Sequence, residues 1–259
     1  MAFYFGDESS NTKALGSAAD LMFGFGGGDR LSGNGGDDVI DGGDGNDTLS
    51  GGDGTDILVG GHGEDKLMGG AGNDGLDGDA GNDRIEGGAG NDILFGRGGS
   101  DWIYGGTNGD IILGGEDNDK LFGEAGNDRM YGESGDDILN GGSGMDTLNG
   151  GSGNDVFDYN ALSDSPGFEE TSPAVIRDDI VRFDGKGAGL GDRIDLSTID
   201  ANREVAGNQA FNLNQLTYSG GILTATVIGF GIPGSLDLQV HLVGNPPLDL
   251  AAPTNDIIL

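Results

Sequence analysis

The sequence predicts an all-β protein: a parallel β-roll, a right-handed β-helix-like solenoid with two nonapeptides per coil, followed by a C-terminal β-rich domain. Three observations predict it. Residues 24–158 are fifteen consecutive copies of one nine-residue unit, without insertion. Every copy has Gly first, Asp sixth and an apolar residue eighth. The period then stops at Tyr159, and all six Pro lie at position 166 or beyond.

The cleanest copies are Gly42-Gly43-Asp44-Gly45-Asn46-Asp47-Thr48-Leu49-Ser50 and Gly87-Gly88-Ala89-Gly90-Asn91-Asp92-Ile93-Leu94-Phe95. The fourth position is Gly in all copies except two, where Asn108 and Asp117 stand. Glycine reaches positive φ without steric cost, so the first half of each unit reads as a tight turn. Asn recurs at the fifth position (Asn46, Asn73, Asn82, Asn91, Asn118, Asn127, Asn154), as expected of a left-handed backbone. The eighth position runs from Leu31 and Ile40 to Leu148 and Phe157. A turn followed by x-U-x, with U apolar, is a three-residue strand with one inward side chain. Two such units close one coil with a short parallel sheet on each side. Stacking seven and a half coils at about 4.8 Å gives a rod roughly 35 Å long.

The sixth position carries the candidate chemistry. It is held by Asp29, Asp38, Asp47, Asp56, Asp65, Asp74, Asp83, Asp92, Asp101, Asp110, Asp119, Asp128, Asp137, Asp146 and Asp155. Stacking sets each Asp over the Asp two units later. Two carboxylates plus turn carbonyls make an all-oxygen cage, which suits Ca²⁺ with its six to eight loosely arranged ligands better than octahedral Mg²⁺. The chain has no Cys and two His, so soft-metal and zinc sites lack donors. Residues 24–158 hold 24 Asp and 5 Glu against 6 Lys plus Arg, a net charge of −23. About thirteen inter-turn sites, roughly +26 if each binds one Ca²⁺, would neutralise that charge. The expectation is about a dozen bound Ca²⁺ and a repeat that is disordered without them. The turns with Asn108 and Asp117 are expected to be distorted.

Written as a rule, the unit is G-G-x-G-x-D-x-U-x. Fifteen in-phase copies resemble the RTX family of secreted proteins, whose nonapeptides bind Ca²⁺ in a parallel β-roll.

The chain divides into three parts, with this array inside the second. Residues 1–14 form an N-terminal cap or leader, with Phe3, Tyr4 and Phe5 available to cover the first coil. Residues 15–23 read as a degenerate unit, since Asp20 and Met22 fall in phase. The β-roll thus spans 15–158. Residues 159–259 form the C-terminal β domain. There 160–178 reads as a loop, 179–183 and 193–196 as short strands, and 222–228 with 236–243 as a hairpin around 229–235. This region resembles the C-terminal domain of serralysin-type metalloproteases through Ala161-Leu162-Ser163-Asp164-Ser165, Gly191-Asp192-Arg193-Ile194-Asp195-Leu196-Ser197, Ile199-Asp200-Ala201-Asn202 and the terminal Asp256-Ile257-Ile258-Leu259. The resemblance implies an uncleaved signal for a type I secretion apparatus. The loop Gly229–Gly234 lacks that family's acidic residues, so no metal is placed in it.

Composition narrows the function. A pI near 4.1 and a net charge of −33 disfavour nucleic acid and anionic membranes as partners. No run approaches a membrane span, and no Sec-type signal is visible at the start. No H-E-x-x-H, G-x-S-x-G, P-loop or EF-hand loop is present. Gly70-x-Gly72-x-x-Gly75 matches a dinucleotide fingerprint only by accident of the repeat. His62 and His241 read as surface residues. Millimolar Ca²⁺ outside the cell would fill weak sites that stay empty in a cytosol. The reading is a secreted, non-enzymatic calcium-binding protein that folds outside the cell after type I export. The alternatives are the calcium module of a larger enzyme, of metalloprotease or alginate epimerase type, and a Ca²⁺-dependent surface adhesin. One outward face carries Ile57, Val59, Ile93, Phe95, Ile111, Leu113 and Tyr131, and the other Trp102, Tyr104 and Phe122. Such strips imply a cover: the C-terminal region, a second copy, or a protein or polysaccharide partner.

Overall fold

The computed structural model describes residues 1–158 and, beyond them, the backbone of six short strands between 178 and 258. It is a parallel β-solenoid of about nine turns, with no helix among the described residues. Strands pair with those eighteen residues away, as in Leu58↔Leu76 on one sheet and Leu49↔Leu67 on the other. Each coil gives one strand to each sheet, so two nonapeptides make one coil.

The core is one column of apolar side chains per sheet. Eighth-position residues from Leu31 to Phe157 are at most 2 % exposed. Burying one such side chain contributes about 1.5–3 kcal/mol, a thin core for nine ordered residues. The strands are longer than the three residues expected. Ile57–His62 and Trp102–Thr107 each run six residues, from the seventh position through the third of the next unit. Inward positions alternate as Asp, apolar residue, Gly, and so the pleat continues into the next turn.

Left-handed backbone falls at the second and fourth positions. Gly88 (φ 109°) and Gly90 (φ 147°) show the pattern. Phe25, Asn34, Asp79, Arg97, Glu124 and Glu133 hold the second position at φ 70–78° without glycine. The fifth-position Asn residues are not among the left-handed ones, contrary to expectation. The invariant first Gly has a different cause. A Cβ on Gly105 would lie 2.5 Å from Asp110 Oδ2 and 2.8 Å from the Gly123 carbonyl oxygen, too close for any side chain.

Asn108 (φ 81°) and Asp117 (φ 72°) adopt the same left-handed conformation as the Gly they replace. The turns they occupy keep the repeat geometry: Asp92 N donates to Asp110 Oδ1, and Asp101 N to Asp119 Oδ1, each at 2.8 Å. The expected distortion is absent, because a short polar side chain tolerates this backbone at modest cost.

Residues 3–14 continue the roll as a first coil. Phe3–Asp7 pairs with Leu21–Phe25, and Thr12–Ala14 with Arg30–Gly35, both at the eighteen-residue offset. Tyr4 and Lys13 take the eighth positions, opposite Met22 and Leu31. Phe5 stacks on Phe23 at 5.6 Å, while Phe3 and Phe5 remain about 60 % exposed.

At the other end, Asp178–Val181 pairs parallel with Thr147–Ser152, and Arg193–Asp195 with Val156–Asp158. Ile222–Val227 and Leu236–Val243 form the expected antiparallel hairpin, joined by Leu216–Ser219. The segments 160–177, 199–202 and 229–235, Asp256 and the His241 side chain lie outside the described residues, and Asp178 of the expected loop begins a strand.

Candidate metal centres along the two edges

The turns between the sheets stack into two edges. One carries Asp29, Asp47, Asp65, Asp83, Asp101, Asp119, Asp137 and Asp155. The other carries Asp38, Asp56, Asp74, Asp92, Asp110, Asp128 and Asp146, with Asp20 ahead of them. All fifteen sixth-position Asp residues are at most 3 % exposed. Eight buried carboxylates in each column need a reason, since an unpaired buried charge is costly.

Hydrogen bonding explains half of each carboxylate. Oδ1 accepts the backbone N–H of the Asp one coil earlier, as in Asp47 N to Asp65 Oδ1 (2.7 Å) and Asp83 N to Asp101 Oδ1 (2.7 Å). Asp20 joins the ladder by donating to Asp38 Oδ1 at 2.7 Å. The other turn donors are also satisfied. The fourth-position N–H goes to the next coil, as in Gly45 N to His62 O (2.7 Å), and the seventh to the coil before, as in Thr48 N to Asp29 O (2.8 Å). Where the coil before has Asn or Asp at the fifth position, that side chain meets the fifth-position N–H. Asn82 Oδ1 accepts from Ser100 N and Asn127 Oδ1 from Met145 N, each at 2.8 Å. This Asn ladder is why Asn recurs there.

The remaining oxygens have no such partner. From Asp29 to Asp137, every sixth-position Oδ2 is buried without a hydrogen bond. Each points at the first-position Gly of its own unit, where the first-position carbonyl of the next coil also points. Asp74 Oδ2 and the Gly87 carbonyl oxygen lie 2.5 and 2.6 Å from one Cβ position on Gly69. Fourth-position carbonyls such as that of Gly27 accept none of the backbone bonds outside the strands among the described residues. Oxygen acceptors crowd these edges, the ligand set a hard cation requires. No cluster of three or more His, Cys, Asp or Glu side chains exists among the described residues, so most ligands must be carbonyls.

Electrostatics agrees. Burial, partly offset by the backbone N–H bond, pushes the Asp83 and Asp110 carboxyls up to about 7 and those of Asp119 and Asp128 to about 8. Asp65, Asp74, Asp101 and Asp137 rise to about 6 for the same reason. Repulsion from the stacked Asp adds to the rise at several of these groups, Asp119 and Asp128 included. In a metal-free roll, Asp83, Asp110, Asp119 and Asp128 hold on to protons at neutral pH.

The outward strips fall on opposite sheets. Ile57 (52 % exposed), Ile93 and half-buried Phe95, Ile111, Leu113 and Tyr131 lie on the larger sheet. Trp102, Tyr104 and Phe122 lie on the smaller, with the last two rings stacked at 5.0 Å. His62 is exposed.

Fold and edges together define a parallel β-roll built around stacked carboxylate and carbonyl cation sites. The family model of the RTX calcium-binding nonapeptide repeat matches residues 23–58, 43–76, 50–85, 77–112, 104–139 and 131–165, more than half of the chain. The chain belongs to that family, and Ca²⁺ is the cation the repeats bind. Among solved structures it is similar to the AlgE6R3 subunit of the Azotobacter vinelandii mannuronan C5-epimerase. The identity is 24%, over 64% of this chain and 78% of that one, with a TM-score of 0.28. No curated protein matches the sequence.

Proposed function

We propose that this chain is a secreted, non-enzymatic calcium-binding module. It leaves the cell unfolded through a type I apparatus and folds outside on binding about a dozen Ca²⁺ between stacked turns. The observation that supports it most is the unbroken column of buried, unpartnered Asp Oδ2 atoms from Asp29 to Asp137. Each bound Ca²⁺ would supply positive charge to two coils at once. Asp residues eighteen apart, with first- and fourth-position carbonyls, would hold it. The chain's part is to bury the carboxylates, fix Oδ1 through the coil-to-coil N–H bond and leave Oδ2 for the ion. Without the ion, a core one side chain deep faces stacked like charges.

Export through a type I apparatus suits a chain whose folding waits for millimolar Ca²⁺. The test is a Ca²⁺ titration of the chelator-treated chain, followed by far-UV circular dichroism. A steep coil-to-β transition with Ca²⁺ but not Mg²⁺ is expected. A folded spectrum in excess chelator at pH 8, or a flat titration there, overturns the reading. Turnover in protease, lyase or epimerase assays of the Ca²⁺-loaded chain would overturn its non-enzymatic part.

A further inference from the structure

Six coils of the larger sheet present an outward face whose residues follow an order. The seventh positions run Val39, Ile57, Gly75, Ile93, Ile111 and Arg129 in successive coils. Beside them the ninth positions run Asp41, Val59, Asp77, Phe95, Leu113 and Tyr131. In a chain of net charge −33, these two rows hold only two acids and one base. Asp77 is already paired: Arg97 Nη2 donates to its Oδ2 at 2.8 Å, with the guanidinium 4.6 Å from the Phe95 ring centroid. Asp41 and Arg129 form no ion pair among the described residues. Gly75 is the gap in the apolar row, and its own coil does not demand it. A Cβ there would meet only the Asp56 carbonyl oxygen, at 4.0 Å, and its φ is not positive.

We propose that this face pairs with the same face of a second copy of the chain, the two rods running antiparallel. The two-fold axis lies along the strands, between the coils of Gly75 and Ile93. Such an interface must be self-complementary, and each row here complements itself when read backwards. In the seventh row, Ile57 meets Ile111 of the second copy, and the Gly75 gap meets Ile93. In the ninth row, Val59 meets Leu113, and the Asp77–Arg97 pair meets Phe95. Asp41 meets Tyr131, with Arg129 diagonal to it, so the two charges left unpaired within one chain pair between copies. At the margin of the face, the second positions set Asp79 against Arg97. Parallel rods would instead set each Asp41 diagonal to the other Asp41, and like charges disfavour an interface. Six coils at about 4.8 Å and six-residue strands about 20 Å long make roughly 500 Å² per copy, the size of a weak, reversible dimer. The proposal rests on the calcium reading, because the face exists only in the folded roll and bound cations offset the charge of −33 that each copy brings.

The full chain, shown by circular dichroism to be folded in Ca²⁺, is followed by sedimentation velocity over a concentration series. A monomer–dimer equilibrium in the micromolar range is expected. Ile93→Lys, at an exposed site beside the axis, should keep the folded spectrum and abolish the dimer. Asp41→Lys and Arg129→Asp should each raise the dissociation constant about fivefold or more, and the two together should bring it back to within about twofold. The two residues stand about 24 Å apart in one chain, so a rescue acts between copies. A dimer retained in Ile93→Lys overturns the proposal, as do charge reversals without effect or without rescue in the double variant. A folded chain that stays monomeric up to about 1 mM overturns it and leaves the calcium reading standing. A chain that shows no Ca²⁺-dependent folding overturns both.

Discussion

The first coil, residues 3–14, and the central coils around Asp83 and Asp119 share one backbone register and differ in their turns. Asn11 stands where the later coils of its edge have Asp, yet its N–H still donates to Asp29 Oδ1 at 2.6 Å. Gly6 still approaches the sixth-position side chain, now the Asn11 amide oxygen. Coil shape is therefore set by pairing with the next coil and by the small first residue. The ionised carboxylate is a separate addition that only the cation sites need.

The largest test of that separation is pH. The central carboxyls are raised by burial, up to about 8 at Asp119 and Asp128. The folded metal-free roll thus holds more protons than the unfolded chain from about pH 4 to pH 8. Its stability must fall as pH rises through that window and be greatest below it. Circular dichroism in chelator should show β structure gained on acidification from pH 8 to about 4.5. With calcium the trend reverses, because protons and cation compete for the same oxygens: the Ca²⁺ midpoint should rise as pH drops from 8 to 6. An apo signal independent of pH would show that the column does not control folding.

Next in size is Gly105→Ala. Its Cβ meets Asp110 Oδ2 and the Gly123 carbonyl, and the strain should cost about 3 kcal/mol in Ca²⁺-loaded denaturation. Gly16→Ala, with nothing within 4 Å of its Cβ, should stay within about 0.5 kcal/mol. Equal effects would mean that close approach is not why the first Gly is kept.

A smaller pair exchanges the two turn types. Asp119→Asn should lower the number of bound Ca²⁺ seen by native mass spectrometry and destabilise the loaded roll by about 1–3 kcal/mol. Asn11→Asp should add one ion, since the first coil already has the backbone of a site. Unchanged counts in both would place the ions elsewhere. Least of all, Asn82→Ala removes one rung of the fifth-position ladder and should cost about 1 kcal/mol.

Much of this was legible in the sequence. An Asp and an apolar residue two apart, repeated every nine, dictate a common inward face, and the roll, the offset of eighteen and the two edges follow. The turn details were not. A Gly has the same letter whether it supplies positive φ, as at Gly88, or room for a carboxylate, as at Gly105. Asn at position five suggested a left-handed residue, whereas its amide oxygen binds an N–H eighteen residues on. That partner is invisible until the coils are stacked. The first coil was hidden because Tyr4, Asn11 and Lys13 replace the apolar and acidic marks that define a unit. Asn108 and Asp117 looked like breaks because the sequence does not show how readily a short polar side chain accepts the left-handed turn.

Lys13 has one more consequence. A stack of identical strands with side-chain ladders is also the architecture of a cross-β fibril, and each open end is a template for further growth. At the amino-terminal face, the column of Leu31, Leu49 and Leu67 ends in an exposed lysine. A second rod docking there would have to dehydrate an ammonium group. The least regular coil thus sets a charge in line with the apolar column, where the next three coils set a leucine.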